Sequence, residues 1–169
     1  EYFIGRGIGL DCRGKGETSA ITAEDILAYS KRLKAGDFAI LKTGWEKYYG
    51  TWDFFKHPYL TEEAAKALVD LGIRIVGTDG SSADAAFGFS TAQRVAEPTF
   101  EEILENMDRE NVRDEAHHML LGHETLIVEY LCNLDDLPEE EAWYSFLPLK
   151  ILEADGSPVR AVAVTQEEE

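Results

Sequence analysis

The sequence predicts an α/β protein with mixed β-sheet layers and flanking helices. Two segments in the first half show the order helix, glycine and short apolar strand, which is typical of layered α/β structures. The last third returns to segments that favour extended structure. A length of 169 residues with 44% apolar residues suits a single domain with a sizeable core.

The first strand and the first helix are predicted near the start of the chain. Residues 3–12 favour extended structure, with Ile8 and Leu10 on one face. Thr22 is a good N-cap, so we predict a helix from there to about residue 33. The apolar residues 38–41 form the next predicted strand, which is short and buried.

A second helix–strand unit follows with clearer end signals. Thr61 caps a predicted helix that runs to about residue 71, and two glutamates occupy its first turn. Gly72 ends this helix, and residues 73–77 are predicted to be a strand. Between residues 85 and 114 the clearest signal is a helix start at Pro98.

The last third is predicted to be a short helix followed by strands. The helix contains His117 and ends at Gly122, and residues 125–129 are extended. Residues 146–152 and 159–164 are predicted to pair as a hairpin, because Asp-Gly-Ser-Pro at 155–158 is a strong turn sequence.

The charge of the chain restricts its partners. The formal net charge is -17, from 33 acidic and 16 basic residues. A field of that sign repels phosphate backbones, so we expect no nucleic-acid partner. No apolar run approaches the roughly 20 residues that a membrane-spanning helix needs. We expect a soluble protein without membrane contact, and of the compartments we favour the cytoplasm.

The segment that points most directly to chemistry contains His117, His118, His123 and Glu129. Imidazole and carboxylate groups are ligands for divalent metals such as zinc. Adjacent residues of a helix point about 100° apart, so His117 and His118 cannot both face one site. A carboxylate at the end of an apolar strand is costly unless it is paired or metal-bound. The alternative is that these histidines lie at the surface and Glu129 emerges into water.

Two further segments are candidates for a site. Asp79 and Asp84 follow a predicted buried strand, where α/β proteins place functional loops. They could bind substrate, orient a ligand histidine or simply cap the turn. Trp45, Trp52 and Phe55 belong to an aromatic-rich stretch that could line a pocket for a flat substrate, or pack in a core or an interface.

Taken in order, these segments resemble the cyclase family of metal-dependent hydrolases, which includes bacterial kynurenine formamidase and isatin hydrolase. Residues 36–45 resemble its GD-apolar-TGW segment, and residues 60–79 resemble the helix, strand and G-x-D that follow. Residues 116–134 resemble AH-x-x-LL…E-x-L-x-N-L, and residues 146–161 resemble the closing hairpin. The resemblance extends over nearly the whole chain.

The resemblance implies a kynurenine formamidase-like fold and a site for zinc or manganese. It places metal ligands at His117 and Glu129, and we expect Asp79 to support them as a neighbour of the ligands. We expect Trp45, Trp52 and Phe55 to contact substrate. The implied reaction is hydrolysis of an amide or cyclic amide, at a C–N bond other than a peptide bond. His118 becomes an outward neighbour, while His57 and His123 match no catalytic position and are expected at the surface.

One part of the family pattern is missing from this sequence. The signature H-x-G-T-H-x-D-x-P-x-H, which holds most family ligands and the catalytic histidine, is not found in these 169 residues. In the family it precedes the first strand, so we expect the catalytic residues upstream of Glu1. A zinc site generally needs at least three protein ligands. We therefore expect residues 1–169 to be one cyclase-like domain lacking its N-terminal part, with metal bound only when residues outside the chain complete the site.

Two alternatives follow from the missing signature. The chain could be a catalytically inactive relative that serves as a binding or interaction protein. The missing part could also come from another chain, because family members commonly form homo-oligomers, or it could have been cleaved off after folding. In either case the expected ligand is a small amide or aromatic molecule.

Overall fold

The computed structural model describes residues 2–86, 114–138 and 141–165. Two of the sequence predictions concern positions outside these ranges. One is Glu1, upstream of which the catalytic residues are expected, and the other is the helix start at Pro98. Within the described ranges, no helix has both the length and the apolar character that crossing a membrane requires.

Eight strands form two sheets in the described residues. They are β1 (Ile4–Asp11), β2 (Ala20–Ile21), β3 (Phe38–Lys42), β4 (Tyr59–Leu60), β5 (Ile75–Thr78), β6 (Leu126–Val128), β7 (Glu141–Pro148) and β8 (Val159–Val164). The large sheet has the order β6-β5-β3-β1-β7-β8, and β2 pairs with β4 separately. Strands β6, β5, β3 and β1 run parallel, whereas β7 and β8 are antiparallel to their neighbours. The predicted α/β fold with a mixed sheet is confirmed.

The α-helices of the described residues cover one face of the large sheet. They are α1 (Ala23–Leu27), α2 (Glu62–Asp70) and α3 (Glu115–Leu121). Ile8 and Leu10 of β1 project together into the core beneath them, as predicted. The helix α2 begins after Thr61, whose side chain accepts a hydrogen bond from the Ala64 N–H, so the predicted cap is confirmed.

The opposite face of the sheet has its own core. Phe38 stacks on Phe146 with ring centroids 5.7 Å apart, and Tyr144 also stacks on Phe146, at 5.9 Å. Leu131 and Leu134, from the segment that follows β6, pack against these rings. The central strand β3 is therefore buried on both faces, which fixes the position of the loop at its carboxyl end.

Two predicted element boundaries are wrong. The first helix ends at Leu27 rather than at about residue 33, because the backbone continues through tight turns such as the Ser30 N–H to Leu27 carbonyl hydrogen bond. The hairpin is confirmed, but its first strand is Glu141–Pro148 rather than residues 146–152. This strand begins earlier because residues 141–145 pair with β1, and it ends at Pro148.

Candidate active site

The carboxyl ends of three parallel strands bring the candidate residues to one edge of the sheet. Thr43 follows β3, Asp79 follows β5 and Glu129 follows β6. Because β3, β5 and β6 are adjacent and parallel, the residues after each strand emerge at the same edge. The chain therefore gathers groups that are far apart in sequence.

Asp84 holds His117 in place. One carboxylate oxygen of Asp84 accepts a hydrogen bond from the Ala116 N–H at 2.8 Å, and the other accepts from the His117 N–H at 2.9 Å. That second oxygen also lies 2.6 Å from His117 Nδ1. The nearby Asp114 makes no side-chain cap, so Asp84 satisfies the first turn of α3 from the loop after β5.

Glu129 faces the other nitrogen of the same ring. Its Oε1 lies 3.4 Å from His117 Nε2 and accepts a hydrogen bond from the Ala83 N–H at 3.2 Å. The Asp84 hydrogen bond, followed by that of Glu129, raises the pKa of His117 to about 10. His117 is therefore a cation between two carboxylates when no other positive charge is bound.

Asp79 is fully buried and organises the loop after β3. Its carboxylate accepts hydrogen bonds from the Thr43 N–H at 3.0 Å, the Thr43 hydroxyl at 2.6 Å and the Trp45 N–H at 2.9 Å. Gly44, between them, has a φ of 72°, which glycine adopts without strain. The described hydrogen bonds of Asp79 hold this loop, and among the described residues the aspartate that contacts His117 is Asp84. The expectation that Asp79 supports the metal ligands stays a prediction.

The three aromatic residues expected to contact substrate occupy two environments. Trp45 is buried, with its ring 4.9 Å from that of Tyr48 and its Nε1 donating to the Asp53 carbonyl at 2.8 Å. Trp52 and Phe55 are half-buried and lie against each other at 5.3 Å. The structure thus places Trp45 in a supporting position and leaves the substrate contacts of this trio a prediction.

The prediction that His57 lies at the surface is wrong. This residue is only 1% exposed, because its ring packs against the backbone of Gly80, where an added Cβ would come within 2.8 Å of the ring. Its Nδ1 donates to the Pro58 carbonyl at 2.9 Å, and its Nε2 has no partner among the described residues. Burial lowers the pKa of His57. His118 and His123 are exposed, as predicted.

The pair of His117 and Glu129 fits part of a metal site. Nitrogen and oxygen ligands of a tetrahedral zinc ion are about 3.4 Å apart, given metal–ligand distances of about 2.0–2.2 Å. The distance from Nε2 to Oε1 is 3.4 Å, longer than a charged hydrogen bond. Nδ1 is held by a carboxylate, as in many metal-binding histidines.

The described residues do not complete that site. No group of three or more potential ligands among histidine, cysteine, aspartate and glutamate occurs in the described part of the chain. The expectation that further ligands and the catalytic residues lie upstream of Glu1 concerns positions outside the described residues, so it stays a prediction.

With this geometry established, comparison with known proteins assigns the family. Residues 1–85, half of the chain, match the model of a family described as "Putative cyclase". The chain belongs to the cyclase family. The resemblance seen in the sequence motifs is thereby confirmed, and the fold of other cyclase-family proteins agrees with it.

Three proteins similar to this chain illustrate the match. A kynurenine formamidase of Bacillus cereus is 33% identical over 105 residues, which are 62% of this chain and 39% of the relative. The structure of isatin hydrolase A from Labrenzia aggregata, bound to benzyl benzoate, is 26% identical with a TM-score of 0.75, covering 96% of this chain and 61% of that one. A predicted metal-dependent hydrolase from Bacillus stearothermophilus shares the fold, with 24% identity and a TM-score of 0.67 over 96% of this chain and 64% of that one. The chain spans less than two thirds of the length of the curated relatives it matches.

Proposed function

We propose that this chain forms part of a metal-dependent hydrolase that cleaves the amide bond of a small molecule, an arylformamide or a cyclic amide. His117 and Glu129 are two of the ligands of a zinc or manganese ion, and the remaining ligands come from outside the described residues. The observation that carries the proposal is the 3.4 Å separation of His117 Nε2 and Glu129 Oε1, with Asp84 fixing the ring from its other side.

The charge pattern supports a bound cation. Asp84 and Glu129 face His117 from opposite sides, so the cluster has one surplus negative charge even when the ring is protonated. A divalent ion in place of the ring proton balances both carboxylates, and it leaves Nδ1 as the donor to Asp84. Metal binding therefore releases the proton of His117 rather than disrupting its contact with Asp84.

The chemistry that the ion supplies when bound is a lowered pKa of water and polarisation of an amide carbonyl. The residues of this chain hold the two proposed ligand side chains in position. Asp84 fixes the tautomer and orientation of His117, and the Ala83 N–H fixes Glu129. The names of the relatives, kynurenine formamidase and isatin hydrolase, support an amide-type substrate and do not favour the alternative of an inactive binding protein.

Hydrolysis by the full natural polypeptide tests the proposal. We expect release of formate from formanilide, or ring opening of isatin, that stops with a chelator and returns with Zn²⁺ or Mn²⁺. The variant His117→Gln should lose this activity by at least two orders of magnitude. The matched control, His118→Gln, changes the exposed neighbour in the same helix and should retain it. Activity that survives chelation, or equal activity in the two variants, would refute the proposal.

A further inference from the structure

His57 is a buried titratable residue to which the proposed function assigns no role. Its side chain is 1% exposed, and its ring lies so close to the backbone of Gly80 that an added Cβ would come within 2.8 Å of it. The Pro58 carbonyl, which can only accept, lies 2.9 Å from Nδ1. The neutral ring therefore has its proton on Nδ1, and Nε2 is a bare acceptor. Nε2 is buried, and none of the groups that the structure describes is hydrogen-bonded to it.

The segment that contains His57 supports the loop of residues 79–84 at two points. The His57 ring packs against Gly80 of this loop. The Leu60 N–H, three residues further along the segment, donates to the Ala83 carbonyl at 2.9 Å. The position of the loop therefore depends on the His57 ring remaining in place.

The same loop holds both proposed metal ligands. The Ala83 N–H donates to Glu129 Oε1 at 3.2 Å. Asp84, at the end of the loop, accepts hydrogen bonds from the backbone and from the ring of His117. A displacement of the loop therefore breaks the contacts that orient His117 and Glu129.

Protonation of His57 is incompatible with its buried position. A second N–H, on Nε2, would have no acceptor within the described ranges, and an unpaired buried donor is costly. Asp79 and Glu129 favour the protonated ring, but burial has the larger effect and lowers the pKa of His57. On the segment of His57 itself, Lys56 is paired with Asp53. The ring must therefore leave its site and reach water before it can bind a proton.

We propose that His57 is an acid-sensitive switch: its protonation releases the ring from Gly80, and the loop of residues 79–84 then opens and frees both proposed ligands. The opening depends only on contacts within the chain, whereas its effect on hydrolysis rests on the proposed function. Because a ring exposed by opening has the ordinary pKa of about 6.5, above that of the buried ring, falling pH favours the open loop. Opening should increase by up to about tenfold for each pH unit below that value.

Hydrogen exchange in the full natural polypeptide, followed by mass spectrometry of peptides from the loop of residues 79–84, tests the switch. Exchange rates at about pH 7.5 and about pH 5.5 are divided by the intrinsic rates of an unfolded peptide, and a chelator is present so that loss of metal in acid does not contribute. The wild-type loop should be about 3- to 10-fold less protected at the lower pH. Over this range ordinary carboxylates stay ionised, and His117 stays protonated because its pKa is about 10.

Two variants and a control isolate the contribution of His57. His57→Phe keeps a ring that can pack against Gly80, and His57→Asn keeps a donor for the Pro58 carbonyl, but neither side chain can be protonated. In both variants the pH dependence of loop protection should disappear. The control His123→Asn removes an exposed histidine and should keep the full pH dependence.

Equal protection of the wild-type loop at the two pH values overturns the inference, and this result needs no variant. The inference also fails if a folded His57 variant keeps the pH dependence, or if His123→Asn removes it. Peptides from β1 and β3 should stay at least tenfold more protected than the loop, and equal protection would mean that the loop opens only when the whole protein unfolds. Absence of metal-dependent hydrolysis, with the pH-dependent opening intact, would instead overturn the proposed function alone.

Discussion

Replacing Asp84 by asparagine removes one charge and alters one hydrogen-bonding atom at the centre of the site. The carboxylate is 4% exposed and accepts three hydrogen bonds, two from backbone N–H groups of α3 and one from His117 Nδ1. Asparagine can present its single carbonyl oxygen to His117, and its amide then faces the N–H of buried Ala116. Two donors face each other at that point, so one hydrogen bond is lost.

The contacts give the expected size of the effect. A buried N–H left without an acceptor costs about 1–3 kcal/mol, and the hydrogen bonds that lose their charge weaken by about half. We expect Asp84→Asn to lower the free energy of unfolding by about 2–4 kcal/mol. For a chain of this length that corresponds to a fall in Tm of about 4–16 °C. The pKa of His117 should also move down from about 10, although Glu129 still raises it.

Urea unfolding and an NMR titration of His117 measure both effects. The matched control is Asp114→Asn, the same chemical change at the exposed position just before α3, where the side chain makes no cap. This control should change the free energy of unfolding by less than about 0.5 kcal/mol. If Asp84→Asn and Asp114→Asn are equally stable and His117 titrates as in the wild type, the assignment of Asp84 as the residue that orients His117 is wrong.

Three further predictions concern the charges and close contacts around the site. Because the pKa of His117 is raised from 6.5 to about 10, the protonated ring stabilises the metal-free protein fully below pH 6.5, and this stabilisation is lost as the pH rises through about 10. The urea midpoint should therefore fall over that pH range. A fall of the same size in His117→Gln would contradict this prediction. Asp79→Asn should lower the free energy of unfolding by about 2–4 kcal/mol, measured by thermal unfolding, because the residue is fully buried. The control Asp155→Asn, at an exposed turn position, should have little effect. Equal Tm values for the two variants would count against the role of Asp79. Gly80→Ala should lower the free energy of unfolding by about 1–3 kcal/mol, because the added Cβ would lie 2.8 Å from the His57 ring. In a double-mutant cycle, Gly80→Ala should cost much less when His57 is already alanine. An unchanged cost in the His57→Ala background would show that the clash lies elsewhere.

Local sequence signals predicted the elements whose ends are set by single residues. Thr61 and Gly72 bracket α2 as expected, because a cap hydroxyl and a positive φ act within one turn of the chain. The end of α1 was missed because helical spacing continues to Leu33, although the backbone changes to tighter turns after Leu27.

The candidate site was only partly accessible from the sequence. The family pattern pointed to His117 and Glu129, and the structure brings them together. The contact of Asp84 with His117 joins residues 33 apart, and the sequence offered Asp84 only as one of two carboxylates with several possible roles. His57 was missed because its burial depends on the close approach of Gly80, a contact that no local pattern encodes.

The affinity of the full natural polypeptide for Zn²⁺, measured by competition with a chromophoric chelator, tests most directly whether His117 and Glu129 bind one ion. Glu129→Gln keeps the size of the side chain and removes its charge, and Glu124→Gln makes the same change at an exposed position before β6. We predict that Glu129→Gln and His117→Gln each bind Zn²⁺ at least tenfold more weakly than the wild type, whereas Glu124→Gln binds it equally well. Equal Zn²⁺ affinity in the wild type and both ligand variants would contradict the metal site.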